Sequence, residues 1–177
     1  MLRIARELLG RSQDVLASEL GLTTRAIQRV EATNPSLSLK RQSLFVEYYR
    51  KQGIVFLSPE AERFGWTVAE CFNRGELREP ARLFRAARIG LDLSQQKLGS
   101  DADLGTMTIR RIESDKETVE PETRQFLIDY LTSRGVHFVP PAGMMGWAIC
   151  FAGIIDEPRA RHPRLSVQQR KREEPAR

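Results

Sequence analysis

Cysteine and histidine are almost missing from this chain: Cys71 and Cys150 are its two cysteines, His137 and His162 its two histidines. Two cysteines cannot build a disulfide framework, and no cysteine–histidine spacing here suits zinc. Long apolar runs are missing as well. The most apolar stretch, Gly143 to Ile155, is too short to span a bilayer. The opening segment MLRIARELLGRSQD has no long apolar run, which predicts no signal peptide. There is no candidate nucleophile–base pair and no phosphate loop. These absences predict a soluble, cytoplasmic protein that is not an enzyme, holds no metal or cofactor and has no membrane partner. They also leave no ligand-sensing domain.

What is present is mild basicity and a repeat. The formal charge is +5 and the pI about 9.6, which favours an acidic partner such as nucleic acid. Apolar residues make up 41% of the chain, enough for packed cores. Shifted by 82 positions, the sequence matches itself without a gap over 1–59 and 83–141. Ser12-Gln13 falls on Ser94-Gln95, Ile27 on Ile109, Tyr48 on Tyr130 and Gly53 on Gly135. Arg3, Ala5 and Arg6 meet Arg85, Ala87 and Arg88, and Glu31 meets Glu113. Beyond Pro59 the match resumes with one or two small gaps: Gly65-Trp66 answers Gly146-Trp147, and Cys71-Phe72 answers Cys150-Phe151. The expected organisation is a first domain at 1–75, a linker at 76–82, a second domain at 83–155 and a disordered basic tail at 156–177.

Within one unit, Leu2, Ala5, Leu8 and Leu9 recur at helical spacing. Ser12 is placed to cap a helix over Gln13–Leu20, which Gly21 ends by taking the left-handed conformation. Thr23 can cap the next helix, 24–31, with Ala26, Ile27 and Val30 inward. A further helix from Ser38 to Lys51 carries Leu39, Leu44, Phe45 and Tyr48 as its apolar set. Then the period changes: Ile54–Leu57 and Trp66–Phe72 read as strands, as do Val136–Val139 and Trp147–Phe151 in the second copy. Asp103 replaces Gly21 at the turn, and Gly105 stands at the place of Thr23, so that cap should be weaker. The fold class is mainly α with short β-hairpins.

The runs SQDVLASELGLTTRAIQRVE and SQQKLGSDADLGTMTIRRIE resemble the helix-turn-helix core of the Xre/Cro family of phage-repressor-like regulators, the second more divergently. The shared pattern is Ser-Gln, Leu-Ala three residues on, a turn glycine, a Ser/Thr cap and a closing Ile-x-x-Ile-Glu. The first copy keeps it with Val30 for the second Ile; the second has Gly99 for Ala and Asp103 for the glycine. The resemblance implies two lambda-repressor-like helix-turn-helix domains, each followed by a strand pair, in a bacterial or phage regulator working at the nucleoid. It implies recognition helices at 24–31 and 106–113. Gln13 and Gln95 would contact phosphate. Thr24, Arg25, Gln28 and Arg29 would face the major groove, and so would Thr106, Met107, Arg110 and Arg111. Arg6 with Glu31, and Arg88 with Glu113, match an ion pair that ties the first helix to the recognition helix.

The residue chemistry suits that role. Arginine reads guanine and glutamine reads adenine in a groove that admits one helix. The plain alternative is a solvated helix face with ordinary charges. Thr23 and Ser12 read as caps first and phosphate donors second, and Met107 as a contact to a thymine methyl or a surface filler. Trp66, Trp147, Cys71 and Cys150 are expected in cores or interfaces, and His137 in packing. The copies differ in charge: residues 1–75 carry 11 Lys and Arg against 8 Asp and Glu, whereas residues 76–155 carry 10 against 11. The first copy is therefore expected to hold DNA more strongly. Covalent duplication can supply both halves of a site, with the two strand pairs meeting in a pseudo-twofold arrangement. A homodimer with four reading heads is the other arrangement. The expected partners are double-stranded DNA, a second copy of the chain, and RNA polymerase or another regulator. The rival reading is a protein-interaction module, an antitoxin or anti-activator, built on the same fold.

Overall fold

The computed structural model describes residues 1–32, 38–59, 65–114 and 119–152. The expected tail at 156–177 lies outside them. The described chain forms eight helices and four strands, in one element order run through twice. The first copy contributes α1 (Leu2–Leu8), α2 (Gln13–Leu20), α3 (Thr24–Ala32), α4 (Leu39–Lys51), β1 (Ile54–Leu57) and β2 (Gly65–Glu70). The second contributes α5 (Ala81–Gly90), α6 (Gln95–Asp101), α7 (Thr106–Ser114), α8 (Pro121–Ser133), β3 (Val136–Val139) and β4 (Ala148–Ala152). The architecture is mainly helical with one small antiparallel sheet. No helix among the described residues is long and apolar enough to cross a membrane.

The local rules explain the short helices. The Ser12 hydroxyl accepts from the Val15 amide at 3.2 Å, and Ser94 accepts from Lys97 at 3.0 Å. Gly21 ends α2 at φ +63°, and Asp103 takes the same left-handed turn at +51°. The Thr23 hydroxyl accepts from the Ala26 amide at 3.2 Å, a cap that Gly105 cannot supply.

The strand pairs do meet. The sheet order is β1-β2-β4-β3, every neighbour antiparallel, so the two copies share one sheet. Its register fixes how the copies correspond. Ile54 pairs with Glu70, and Val136, its equivalent 82 residues on, pairs with Phe151. Glu70 and Phe151 are therefore equivalent, and so are Val68 and Ile149, which pair with each other. A pseudo-twofold axis of the sheet passes through that pair. The Cys71 and Ala152 amides confirm the offset: each donates at 2.8 Å to the carbonyl of its own copy's Gly53 or Gly135.

This register corrects one alignment and two strand limits. Cys150 takes the place of Ala69, and Phe151 that of Glu70, so neither answers Cys71-Phe72. One deletion separates the copies here, and the Cys-Phe match is a coincidence of two residues. In a strand each one-residue slip turns a side chain to the other face, so hydrogen bonding decides the match. Strand β2 stops at Glu70, short of the expected Phe72, and β4 begins one residue after Trp147.

The core is continuous across the copies. Helix α1 packs on α5, and Ile4, Ala5, Leu8, Leu83, Phe84, Ala86 and Ala87 are all buried there. Helices α4 and α8 lie against β1 and β3. The expected apolar face of α4 is only half right. Phe45 and Tyr49 are the buried residues, Tyr48 is half-buried, and Leu39 and Leu44 are exposed. The Tyr49 hydroxyl donates to the Leu2 carbonyl at 3.1 Å, which ties α4 to α1.

The segment joining the copies, 71–80, has no helix or strand but is anchored. The indole N–H of Trp147 donates to the Glu76 carbonyl at 3.3 Å, and Arg124 donates to that of Glu79. Helix α5 begins at Ala81, within the expected linker.

Candidate nucleic-acid interface

Two copies of one polar network hold α3 and α7 in place. In the first, Arg6 Nε donates to Glu31 Oε1 at 2.7 Å and Nη2 to Oε2 at 3.0 Å. Gln13 Nε2 donates to the same Oε2 at 2.8 Å. In the second, Arg88 reaches Glu113 at 2.6 and 2.9 Å, and Gln95 at 2.8 Å. Each arginine also donates Nη1 to the carbonyl just past the first helix, Arg11 at 2.9 Å or Leu93 at 3.0 Å. The carboxylates are buried, their side chains 3% and 2% exposed. Bidentate geometry and a third donor satisfy them, which a buried carboxylate requires. Arg6 Nη1 also donates to Glu7 Oε1 at 2.8 Å. Burial alone would lower the Arg6 pKa, but the hydrogen bonds and charges of Glu31 and Glu7 outweigh it, so the guanidinium is held more firmly charged than usual.

This network adds a role that residue types alone did not give. Gln13 and Gln95, expected to meet phosphate, each commit an N–H to the glutamate and keep the carboxamide half-buried. The signal was present in the sequence, because each Gln precedes its Glu by 18 residues in both copies. The Arg85 guanidinium, which also donates to the Glu113 carbonyl at 2.6 Å, was not foreseen.

The outward face of α3 carries Arg25, Gln28 and Arg29, all exposed and without a hydrogen bond or ion pair to any described residue. Ile27 is fully buried beneath them, and Ala26 and Val30 are half-buried. Thr24 is half-buried, and its hydroxyl donates to the Asp14 carboxylate at 2.6 Å, which links α3 to α2. Thr23 is exposed beside it. The outward face of α7 is arranged differently. Arg110 Nε donates to Gln95 Oε1 at 3.4 Å, and Nη1 lies 3.8 Å from Met107 Sδ, so this arginine folds back along its own copy. Met107 and Arg111 are exposed and Thr106 is half-buried.

Of the other residues read from the sequence, Trp147 and Cys150 are buried, whereas Trp66, Cys71 and His137 are half-buried. Among the described residues no group of three His, Cys, Asp or Glu could hold a metal ion. The joining segment and the loop before β4 both carry exposed apolar side chains. The Asn73 amide donates to the Met144 carbonyl at 2.8 Å, and Phe72, Leu77 and Met144 stand in solvent. Comparison with protein-family models, curated proteins and solved structures finds no match.

Proposed function

We propose that this is a double-stranded DNA-binding protein in which α2–α3 and α6–α7 are two lambda-repressor-like helix-turn-helix units. More particularly, it is a transcriptional regulator of the Xre/Cro type that reads DNA with α3 and α7. The observation that carries the reading is the Arg–Glu–Gln network, built twice with the same atoms. It fixes a helix whose outer face offers Arg25, Gln28 and Arg29, exposed and without a partner among the described residues. Two arginines and a glutamine on one helical face suit base edges and phosphates.

The test is DNA retention after selection from random duplexes. Replacing Arg25 and Arg29 together by alanine should weaken binding to the selected sequence by about 100-fold, since each good base contact is worth about 1–3 kcal/mol. Replacing Arg110 and Arg111 should cost less, on the order of 10-fold, because the second copy is the less positive. Equal losses would remove the asymmetry between the copies. An unchanged affinity in the first variant would remove the reading itself.

The exposed Phe72, Leu77 and Met144 favour a second reading, a protein-interaction module such as an antitoxin or anti-activator. Salt-insensitive capture of a protein, with no retention of any DNA, would select it.

A further inference from the structure

The interface between the two copies is made of unlike parts. Gly90 of α5 lies under the Phe151 ring, and a Cβ there would come within 2.2 Å of that ring and 3.3 Å of Ile4 Cδ1. The residue equivalent to Gly90 in the first copy is Leu8, and the residue equivalent to Phe151 is Glu70. The large ring thus sits over a glycine in one half, while in the other half the leucine accompanies a carboxylate. That carboxylate is buried, and it accepts from Arg82 of α5 at 2.7 and 3.0 Å. Two first copies packed together would bring Leu8 against Ile4, where Gly90 now leaves room, and would offer Glu70 no α5 guanidinium. Two second copies would face Gly90 with Ala86, the equivalent of Ile4, and leave a void. Packing of this density discriminates against both like pairs. The outer faces are unlike too: Arg25, Gln28 and Arg29 on α3 stand at the positions of Met107, Arg110 and Arg111 on α7.

Resting on the DNA-binding reading, we infer that a single chain, without a second copy, binds one non-palindromic DNA site made of two dissimilar half-sites, α3 reading one and α7 the other. Continuous pairing through Val68 and Ile149 sets the spacing and orientation of the two halves. The order of the half-sites along the DNA is then fixed by the chain, so the site has a direction.

Selection of bound sequences from random duplexes, followed by sedimentation of the full chain on the selected duplex, tests this. The expected motif has two unlike halves with a constant spacing, and the complex holds one chain per duplex. In a repeat of the selection, Arg25→Ala with Arg29→Ala should erase base preference in one half only. Arg110→Ala should erase it in the other half only. These side chains are exposed, and circular dichroism of each variant checks that the fold is kept. An inverted-repeat motif, two chains per duplex, a motif with a single half, or loss of preference in both halves from either variant would each overturn the inference while leaving DNA binding intact. Failure to enrich any sequence would overturn the DNA-binding reading beneath it.

Discussion

Gly21 and Asp103 occupy equivalent turns in the same left-handed region, at φ +63° and +51°. That region costs an L-residue about 1–2 kcal/mol, less for aspartate, and a glycine little. A Cβ at Gly21 meets nothing within 4 Å, so Gly21→Ala isolates the backbone cost. Thermal unfolding should show Gly21→Ala less stable by about 1 kcal/mol and Asp103→Gly more stable by about 0.5 kcal/mol. A stabilising Gly21→Ala would refute the account. The polar triads make a larger prediction at the same scale. Removing Glu31 strips the buried Arg6 guanidinium of its bidentate partner and leaves it the Glu7 carboxylate at 2.8 Å and the Arg11 carbonyl. Removing Glu113 leaves Arg88 only the Leu93 carbonyl among the described residues. Urea unfolding of Glu113→Ala should show a loss of about 3–5 kcal/mol, and Glu31→Ala a smaller one of about 2 kcal/mol, because Glu7 still faces Arg6 while Ile89 stands at its place in the second copy. A loss under 1 kcal/mol in either would mean that the network is solvated and does not position the helix above it.

Individual elements show how far the sequence alone carries. The repeat register located the helices, apart from the start of α5 at Ala81 inside the expected linker, because the Ser12 and Ser94 caps and the buried positions recur at an offset of 82. The Arg6–Glu31 and Arg88–Glu113 pairings follow from the family resemblance, and the geometry places those atoms together. Two things were not legible. The buried side of α4 is chosen by what it packs on, β1 and the end of α1, so Tyr49 turns inward while Leu39 is left 81% exposed. Apolar residues on several sides of a helix do not by themselves say which side is covered. The sheet register was the other: strands this short have too few residues for a pattern to separate an offset of 81 from 79. Helix α4 yields a direct test. Phe45→Ala should cost about 3–5 kcal/mol, and Leu39→Ala less than about 0.5 kcal/mol, in chemical denaturation. Comparable losses from the two would place the wrong face inward.

For the molecule as a whole, the decisive feature is the junction where the copies are joined. Arg82, at the start of α5, donates to Glu70 of β2 and to Glu76 of the joining segment, so one guanidinium ties sheet, segment and second copy together. Burial alone would lower its pKa, but hydrogen bonds to Glu76 and Glu70 outweigh it and keep the cation firmly protonated. The same contact works on the acid. The hydrogen bond from Arg82 is the main reason that the Glu76 carboxyl is held below its ordinary value of 4.5, against the opposing effect of partial burial. A carboxyl whose pKa is lower in the folded state binds fewer protons folded than unfolded. Its contribution to stability is therefore fully present above about pH 4.5 and is lost as the pH falls through the depressed folded value. Glu76 is partly open to solvent, so the effect is moderate, but it has a definite sign. Melting temperature measured from pH 7 to pH 3 should fall at the acid end. Glu76→Gln should melt lower than the unaltered chain at neutral pH and converge with it in acid. Parallel curves, with a constant gap at every pH, would show that the Glu76 carboxylate adds no charge-dependent stability to this junction.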